Sequence, residues 1–295
     1  MTVVAVFLVV LFAWLLQGKQ IDVLNPSGEI ANAQRSILLF TLFLSSLVVV
    51  PVFTLLIYFA VHYRADNKHA RYQPEWGENK VLEAMWWGIP IAIISVLGVI
   101  TLQSSHSLDP YKQLSGGKPL EIQVVALRWK WLFIYPEQKL ATLNYISAPV
   151  NQPIHFSLTA DAPMSAFWIP ALGSQIYAMN GMESQLNLKA NEIGNFTGYT
   201  TNINGQGYAS MKFTAKITTK KQFIKWVDEM RMIKAEMNQA EYSKLAIAKS
   251  ETSQRTYRLT DADLFQSIMH QNMSHSSSDS DEHSKMDHST MEMSE

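Results

Sequence analysis

The segment that most resembles a ligand-binding loop is YTTNINGQGYASM, which runs from Tyr199 to Met211. It is rich in turn-forming residues and contains one soft metal ligand, the Met211 thioether. It contains no Cys, His, Asp or Glu, and the complete sequence contains no Cys. Because a lone thioether is a weak ligand, these residue types do not support tight copper binding. Met211 lies on the apolar side of an alternating segment and is expected in the core.

A second candidate for chemistry is the carboxylate of Glu83, which directly precedes a long run without charge. Ionisable groups at the boundary of a membrane segment are often part of proton routes. A carboxylate at the start of a helix is also favoured by the helix dipole. The residues alone favour this second interpretation.

Aromatic and imidazole side chains offer weaker candidates. Trp129 and Trp131 are two residues apart, so on a strand both would face a partner or both would face the core, and packing in the core is the expectation. His106 and His155 are isolated in the sequence and are expected to be ordinary surface or hydrogen-bonded histidines.

Two long apolar runs predict two membrane-spanning helices, over residues 36–63 and 84–103. Roughly 20 apolar residues are enough to cross the ~30 Å hydrocarbon core of a bilayer. The loop between them, residues 64–83, is more basic than either outer flank, so the positive-inside rule places it in the cytoplasm. The chain after the second helix is therefore expected on the outer side of the membrane.

Residues 1–18 contain a shorter apolar run, VVAVFLVVLFAWLL. A run of about 14 residues is closer to the core of a signal peptide than to a full membrane span. Residues 1–18 are therefore expected to be either a cleaved signal peptide or a short retained anchor.

The exported part has three predicted regions. Residues 119–217 alternate apolar and polar side chains between turn-forming runs, which is typical of an all-β sandwich or barrel. Residues 218–273 return to a helical period behind a possible cap at Thr219, which predicts an amphipathic helix. The apolar face of that helix is formed by Phe223, Trp226, Val227, Met230, Ile233 and Met237. Residues 274–295 are polar and acidic and are expected to be a disordered tail.

Composition excludes several kinds of site. The absence of Cys removes disulfides and thiolate metal sites from an exported protein. The net charge of −1 argues against nucleic acid as a partner. The tail contains several His and Met residues, a composition that can capture copper or zinc loosely, but solvated disorder is the simpler interpretation.

Two membrane helices followed by an exported β-sandwich resemble subunit II of the heme–copper respiratory oxidases. LEAMWWGIP, from Leu82 to Pro90, resembles the family's entry to the second helix, and RWKWLFIYP, from Arg128 to Pro136, resembles its aromatic strand. The segments APMSAFWIPALG and YASM resemble its copper-ligand region. The resemblance implies a membrane-anchored all-β protein, with a helical hairpin, a cupredoxin-like sandwich, a C-terminal amphipathic helix and a disordered tail.

The resemblance also assigns the copper-site positions of the cytochrome c oxidase branch to residues of this chain. In chain order these positions are Ser165, Thr200, Asn204, Tyr208 and Met211. Only Met211 retains the ligand type of the copper-bearing relatives. The loop glutamate that helps to hold a magnesium ion in those relatives corresponds to Asn202.

Loss of the copper ligands, together with IPALGSQIYAMNGM, resembles the quinol-oxidising branch, the cytochrome bo-type ubiquinol oxidases. The resemblance implies a bacterial inner-membrane subunit without cofactors of its own, whose partner subunit I carries the hemes and copper. Smaller membrane subunits and ubiquinol are further implied partners. It also implies that Glu83 is the entry of a proton path into subunit I. Relatives often begin with a lipidated Cys, but Lys19 occupies that position here.

There are two alternative functions, and each would require a metal site. A membrane-anchored copper-handling protein would use the Met- and His-containing tail, and metal content would separate it from an oxidase subunit. A copper-bearing cytochrome c oxidase subunit is disfavoured by the absence of Cys.

Overall fold

The computed structural model describes residues 22–64, 67, 77–247 and 249–271. The predictions for residues 1–18 and 274–295, and most of the prediction for the basic loop, fall outside these residues. The chain divides into two compact units. One contains residues 33–109, and the other contains the preceding segment together with the chain from Pro110 onward.

The first unit contains most of two long helices, α1 (Glu29–His62) and α2 (Lys80–Ser107). Both are long and apolar enough to cross a membrane. Their apolar side chains are exposed, for example Phe43 at 66% and Trp86 at 78%, as expected for a surface that faces lipid. Both helices begin before the predicted spans because polar turns extend their starts, and α2 also continues four residues beyond its predicted end. At α2 the Asn79 side chain caps the helix by accepting hydrogen bonds from backbone N–H groups.

The second unit is a β-sandwich with twelve strands in the described residues. The first six strands are β1 (Leu120–Leu127), β2 (Lys130–Tyr135), β3 (Leu140–Leu143), β4 (Tyr145–Pro149), β5 (Pro153–Ala160) and β6 (Ser165–Phe167). The others are β7 (Ile176–Ala178), β8 (Ser184–Lys189), β9 (Gly194–Tyr199), β10 (Lys212–Thr218), β11 (Glu236–Met237) and β12 (Arg255–Leu259). Three helices follow β10: α3 (Lys220–Arg231), α4 (Gln239–Ala246) and α5 (264–271).

The strands form a seven-stranded sheet in the order β11-β12-β3-β2-β1-β5-β8, a three-stranded sheet β4-β10-β9 and a small β6-β7 pair. The pairs β1–β5, β4–β10 and β11–β12 are parallel, and the remaining pairs are antiparallel. Register is fixed by the alternation of buried side chains, because a slip of one residue would turn every apolar residue to the opposite face.

The inner core lies between the seven-stranded sheet and the other two sheets. Its aromatic centre joins Phe167 and Phe213, whose rings stack with centroids 5.1 Å apart, to Trp131, Phe133 and Phe156. Each of these rings is buried. Strands β1, β2, β5 and β10 supply most of the remaining apolar side chains, and this alternating core is the one that the sequence predicts.

The opposite, outer face of the seven-stranded sheet is also buried, under the C-terminal region. Leu132 and Ile134 of β2 face a separate apolar cluster that includes Tyr242 of α4 and Phe265 of α5. Strand β2 is consequently buried at every residue. A strand covered on both faces has an almost continuous apolar sequence.

This arrangement corrects the prediction that residues 218–273 are helical. The capping box at Thr219 is confirmed, but the amphipathic helix ends at Arg231. Met237, predicted on that helix, is in β11, and residues 255–259 add strand β12 to the large sheet. The tertiary contact with β3 overrides the local helical period here.

The C-terminal segment that joins α4 to β12 is fixed by two buried polar residues. Lys130 is 2% exposed, and its Nζ donates to the Ile247 carbonyl at 3.2 Å. Asn144 accepts from the Trp131 backbone N–H at 2.9 Å and donates to the carbonyls of Glu251 and Ser253. Asn144 adopts a φ of 57°, a conformation that Asn tolerates better than most residues.

Strand β8, at one edge of the large sheet, is covered by the segments that flank the helical hairpin. Gly28 forms a β-bridge with Ala190. From the segment that follows the second long helix, the Pro110 carbonyl accepts a hydrogen bond from the Asn187 backbone N–H at 3.0 Å. Lys189 joins the two segments, because its Nζ donates to Glu29 at 2.8 Å and to the Ser115 carbonyl at 3.1 Å.

Candidate functional site

The five positions that the resemblance assigns to a copper site lie in and beside the loops between β5 and β10. Ser165 is the first residue of β6, Thr200 directly follows β9, and Met211 directly precedes β10. Asn204 lies in the intervening loop, and Tyr208 begins a short 3₁₀ turn. The structure brings the five residues into one neighbourhood but divides them into two groups.

The inner group consists of Ser165, Asn204 and Met211, in which Asn204 contacts each of the other two. Asn204 Nδ2 donates to Ser165 Oγ at 2.7 Å and lies 3.4 Å from the Met211 sulfur. Met211 is 0% exposed. Asn204 Oδ1 is also buried and has no hydrogen-bond partner among the described residues. The Asn204 carboxamide therefore connects the loop between β9 and β10 to the start of β6.

The outer pair, Thr200 and Tyr208, faces a different space. Both residues line an open pocket of about 370 Å³, the outer pocket. Its full lining is Thr197, Tyr199, Thr200, Tyr208, Ala209 and Lys212. Among the copper-site positions, only these two therefore reach the outer pocket.

Asn202 strengthens the connection between the two loops. Its Oδ1 accepts from the Ala166 backbone N–H at 2.6 Å and from Thr200 Oγ1 at 2.8 Å. Its Nδ2 donates to the Met164 carbonyl. Each of these bonds uses a neutral amide, and none requires an ion.

The inner group does not fit copper. Its donor set is a hydroxyl, a carboxamide and a thioether, all neutral, whereas copper electron-transfer sites use thiolate and imidazole ligands. The Met211 sulfur already faces an N–H donor. In the described part of the chain, no group of three or more His, Cys, Asp or Glu residues could hold a metal ion. Hydrogen bonds therefore hold the loops together where the resemblance places metal ligands.

The aromatic pair adopts an arrangement that the sequence does not predict. Trp129 lies in the turn between β1 and β2 with a φ of 64°, so the expectation that it shares a strand face with Trp131 is wrong. Its indole N–H donates to the Asn204 carbonyl at 3.2 Å. Its ring covers Gly207, where an added Cβ would lie 2.4 Å from the ring. Trp131, in contrast, is completely buried in the inner core and contacts Phe167 edge-on.

The packing of Trp129 explains the glycines of the NGQG segment, which the sequence indicated only as a turn. A side chain at Gly207 would collide with the indole, and Gly205 adopts a φ of 119°, which favours glycine. Lys212 and Tyr199, which the sequence did not indicate as site residues, also line the outer pocket.

Glu83 lies in the first turn of α2, one turn after the capping residue. Its backbone N–H donates to the Asn79 carbonyl at 2.9 Å. Its side chain is exposed and forms no hydrogen bond or ion pair within the described residues. This position is compatible both with a helix-start carboxylate and with a group that meets a partner protein.

Comparison with known proteins identifies the family. The model of the cytochrome c oxidase subunit II periplasmic domain matches residues 120–218. The cytochrome bo(3) ubiquinol oxidase subunit 2 of Pseudomonas putida is 45% identical over 256 residues, which cover 86% of this chain and 82% of that protein. The chain belongs to the ubiquinol oxidase subunit 2 family. The sequence resemblance is therefore confirmed, together with the predicted order of two apolar helices and a β-sandwich.

Other members of the ubiquinol oxidase subunit 2 family give similar matches. The ubiquinol oxidase subunit 2 of Acetobacter aceti is 41% identical, with 87% of this chain and 84% of that protein covered. Among solved structures, the periplasmic domain of subunit II of cytochrome oxidase from Bradyrhizobium japonicum matches 39% of this chain and 96% of its own. That match has 25% identity and a TM-score of 0.37.

The family similarity extends beyond the copper-site domain. The periplasmic-domain model ends at the last residue of β10, so the C-terminal region lies outside it. The Pseudomonas putida relative, however, matches 86% of the chain, more than residues 1–218 can supply. At least part of the C-terminal region therefore also matches that relative in sequence.

Proposed function

We propose that this chain is subunit II of a proton-pumping ubiquinol oxidase in the bacterial inner membrane, with its β-sandwich in the periplasm. The chain itself is non-catalytic, and the hemes and the copper of the oxidase belong to subunit I. Subunit I, smaller membrane subunits and the lipid bilayer are its partners. The names of the relatives support this assignment.

The inner group supports ubiquinol as the electron donor over cytochrome c. A donor that arrives from the aqueous side, such as cytochrome c, needs a redox relay in the exported domain. The corresponding corner of this domain is filled by the Ser165–Asn204–Met211 contacts. Ubiquinol delivers electrons from within the bilayer and needs no such relay, so it is the expected donor.

Oxygen uptake by the purified complex tests this proposal. We expect turnover with a ubiquinol analogue and none above background with reduced cytochrome c. Salt-sensitive turnover with cytochrome c would contradict it. Metal and heme analysis of the same preparation addresses the alternative: a copper-handling protein would retain copper without co-purifying hemes.

We further propose that Glu83 admits protons to subunit I. Its position at the start of an apolar helix, with no partner within the described residues, supports this role. The substitution Glu83→Gln keeps the size of the side chain and removes the titrating group. We expect turnover to fall a few-fold to tenfold, or about 1 kcal/mol of barrier, with normal heme spectra.

Glu78→Gln is the matched control, because Glu78 is a nearby carboxylate that precedes the cap of α2. It should leave turnover unchanged. Equal turnover of wild type and Glu83→Gln across the pH range would assign Glu83 to helix stabilisation alone. Loss of hemes in that variant would indicate an assembly defect in place of a proton-delivery defect.

A further inference from the structure

The C-terminal region contacts both loops that lead to the copper-site positions. The first loop, residues 161–164, runs from the end of β5 to Ser165, and the second loop, residues 200–211, joins β9 to β10. Both loops and the C-terminal region belong to the same compact unit. The periplasmic-domain model ends at Thr218, so these contacts come from outside the region that it matches.

The contact on the first loop is a hydrogen bond from Tyr242 of α4 to Asp161. The Tyr242 hydroxyl donates to Asp161 Oδ2, and its ring is 4% exposed within the outer apolar cluster. Burial raises the pKa of Tyr242, and the bond to Asp161 raises it further, so this phenol keeps its proton and remains a donor. Hydrogen bonds to a carboxylate are stronger than those to a neutral acceptor. Asp161 is also held through its backbone N–H, which donates to the Ala126 carbonyl at 2.9 Å.

The contact on the second loop is a hydrogen bond between the hydroxyls of Ser250 and Ser210. Ser210 Oγ donates to the Gly207 carbonyl at 2.8 Å, so the hydrogen between the two serines comes from Ser250. Gly207 is the residue that the Trp129 ring covers. Ser250 therefore holds the 3₁₀ turn that directly precedes Met211, a buried member of the inner group.

Ser250 belongs to an irregular segment, residues 249–254, which we call the strap. The buried Asn144 side chain donates to two carbonyls of the strap, at 2.8 and 3.2 Å. At the end of the strap, Gln254 Nε2 donates to Thr214 Oγ1 of β10 at 3.1 Å. The Thr214 backbone N–H in turn donates to the Asn144 carbonyl at 3.1 Å. The strap is therefore fixed to the core of the sandwich.

From these contacts we propose that α4 and the strap form a clamp that holds the two loops in place, with Tyr242 and Ser250 as its positioning residues. Each loop is held by a hydroxyl donor, so the clamp needs no metal ion. Because both donors belong to one C-terminal region, displacement of that region releases both loops together. The hydrogen bonds between the loops, which include Asn204 to Ser165, then open more often.

Hydrogen exchange of the full chain in detergent tests the first contact. Tyr242→Phe removes the hydroxyl and keeps the ring in the outer cluster. We expect the Asp161 amide to exchange about tenfold faster, because a hydrogen bond to a charged group is lost. Tyr257→Phe is the matched control, because Tyr257 is a buried tyrosine of the same cluster whose hydroxyl has no hydrogen-bond partner in the described part of the chain. It should leave the Asp161 amide within about twofold of wild type.

Ser250→Ala tests the second contact in the same experiment. We expect the amides of Ser210 and Met211 to exchange about fivefold faster, the value for one lost neutral hydrogen bond. Ser243→Ala is the matched control, because Ser243 is an exposed serine of α4 whose hydroxyl donates to the Gln239 carbonyl at 2.8 Å. It should leave both amides within about twofold of wild type. If either hydroxyl variant changes its loop no more than its control does, the clamp is refuted.

The double variant, Tyr242→Phe with Ser250→Ala, tests whether the two contacts act as one clamp. The Ala166 backbone N–H donates to Asn202 Oδ1 across the two loops at 2.6 Å, so its exchange reports their separation. We expect this amide to exchange about threefold faster in the double variant than in either single variant. No further gain in the double variant would overturn the clamp, because each contact would then act on its own loop alone.

A second variant of the first contact keeps the test decisive if Tyr242→Phe does not fold, which its melting temperature shows. Asp161→Asn retains an acceptor oxygen for Tyr242 and removes the charge. We expect the protection factor of the amide at position 161, corrected for the intrinsic rate of Asn, to fall about threefold. An unchanged protection factor would refute the role of Tyr242 in holding the first loop.

Discussion

The two faces of the seven-stranded sheet are both buried, but different parts of the chain cover them. The inner face packs against the other strands of the sandwich, within the region that the periplasmic-domain model matches. The outer face packs against α4 and α5, and β12 extends the sheet itself; all three elements come after that region. The comparison indicates that the C-terminal region completes the core of the domain and is not an appendage to it.

Truncation tests this comparison most severely. Deleting residues 250–295 removes β12 and α5 and exposes the outer sheet face, so we expect aggregation or rapid proteolysis of the domain. Deleting only residues 274–295 should leave assembly and turnover intact if this segment is the disordered tail that the sequence predicts, because such a tail contributes few ordered contacts. Limited proteolysis and oxygen uptake measure both results. A stable, active 250–295 deletion would make the outer cluster dispensable.

Single substitutions compare the two clusters directly. Phe167 and Phe265 are completely buried aromatic rings on the inner and outer sides, respectively. Replacing either by Ala should lower the free energy of unfolding by about 3–5 kcal/mol. Thermal unfolding of the full chain, followed by tryptophan fluorescence, measures the effect. If Phe265→Ala only increases hydrogen exchange in residues 239–271, the outer cluster unfolds independently.

Lys130, at the boundary between sheet and C-terminal segment, predicts a pH dependence. Burial lowers the pKa of Lys130, so between this lowered value and the ordinary value the unfolded chain binds more protons than the folded chain. Stability should therefore rise with pH in this window. Lys130→Met removes the titration, so the melting temperature of the wild type should rise relative to that of the variant as the pH increases through this window. Equal pH dependence of the melting temperature in the wild type and in Lys130→Met would contradict this prediction.

The smallest effects are expected in the inner group. Met211→Leu conserves volume in a buried position and should cost less than about 1.5 kcal/mol. Chelation should not change the melting temperature of the wild-type domain, because the loops are joined by hydrogen bonds. A decrease of several degrees on chelation would reveal a metal site.

The parts of the fold that the sequence predicts are those with an uninterrupted period. Charge-free runs indicate α1 and α2, and alternation indicates strands such as β5 and β10. β12 has only five residues, RTYRL, and follows a helical region, so it becomes a strand only through its pairing with β3. The register of β12 is set by its pairing with β3 in the folded sheet, so the sequence alone does not predict it.

The site was less predictable than the fold. The resemblance aligns Ser165, Asn204 and Met211, but their contacts depend on loop conformations that residue types do not specify. Trp129 illustrates this limit, because its left-handed φ interrupts the period of two on which the strand prediction depended. The roles of Asn202 and Gly207 follow from that turn and from the loop opposite it.

The cover on β8 also has a consequence for self-association. An open sheet edge is a template for pairing with another chain. Here one edge of the large sheet is occupied by the segments around Gly28 and Pro110, and the other edge strand, β11, has only two residues. A soluble fragment that begins at β1 would lose the first protection, so the segments that lead into and out of the membrane helices also guard the domain against edge-to-edge aggregation.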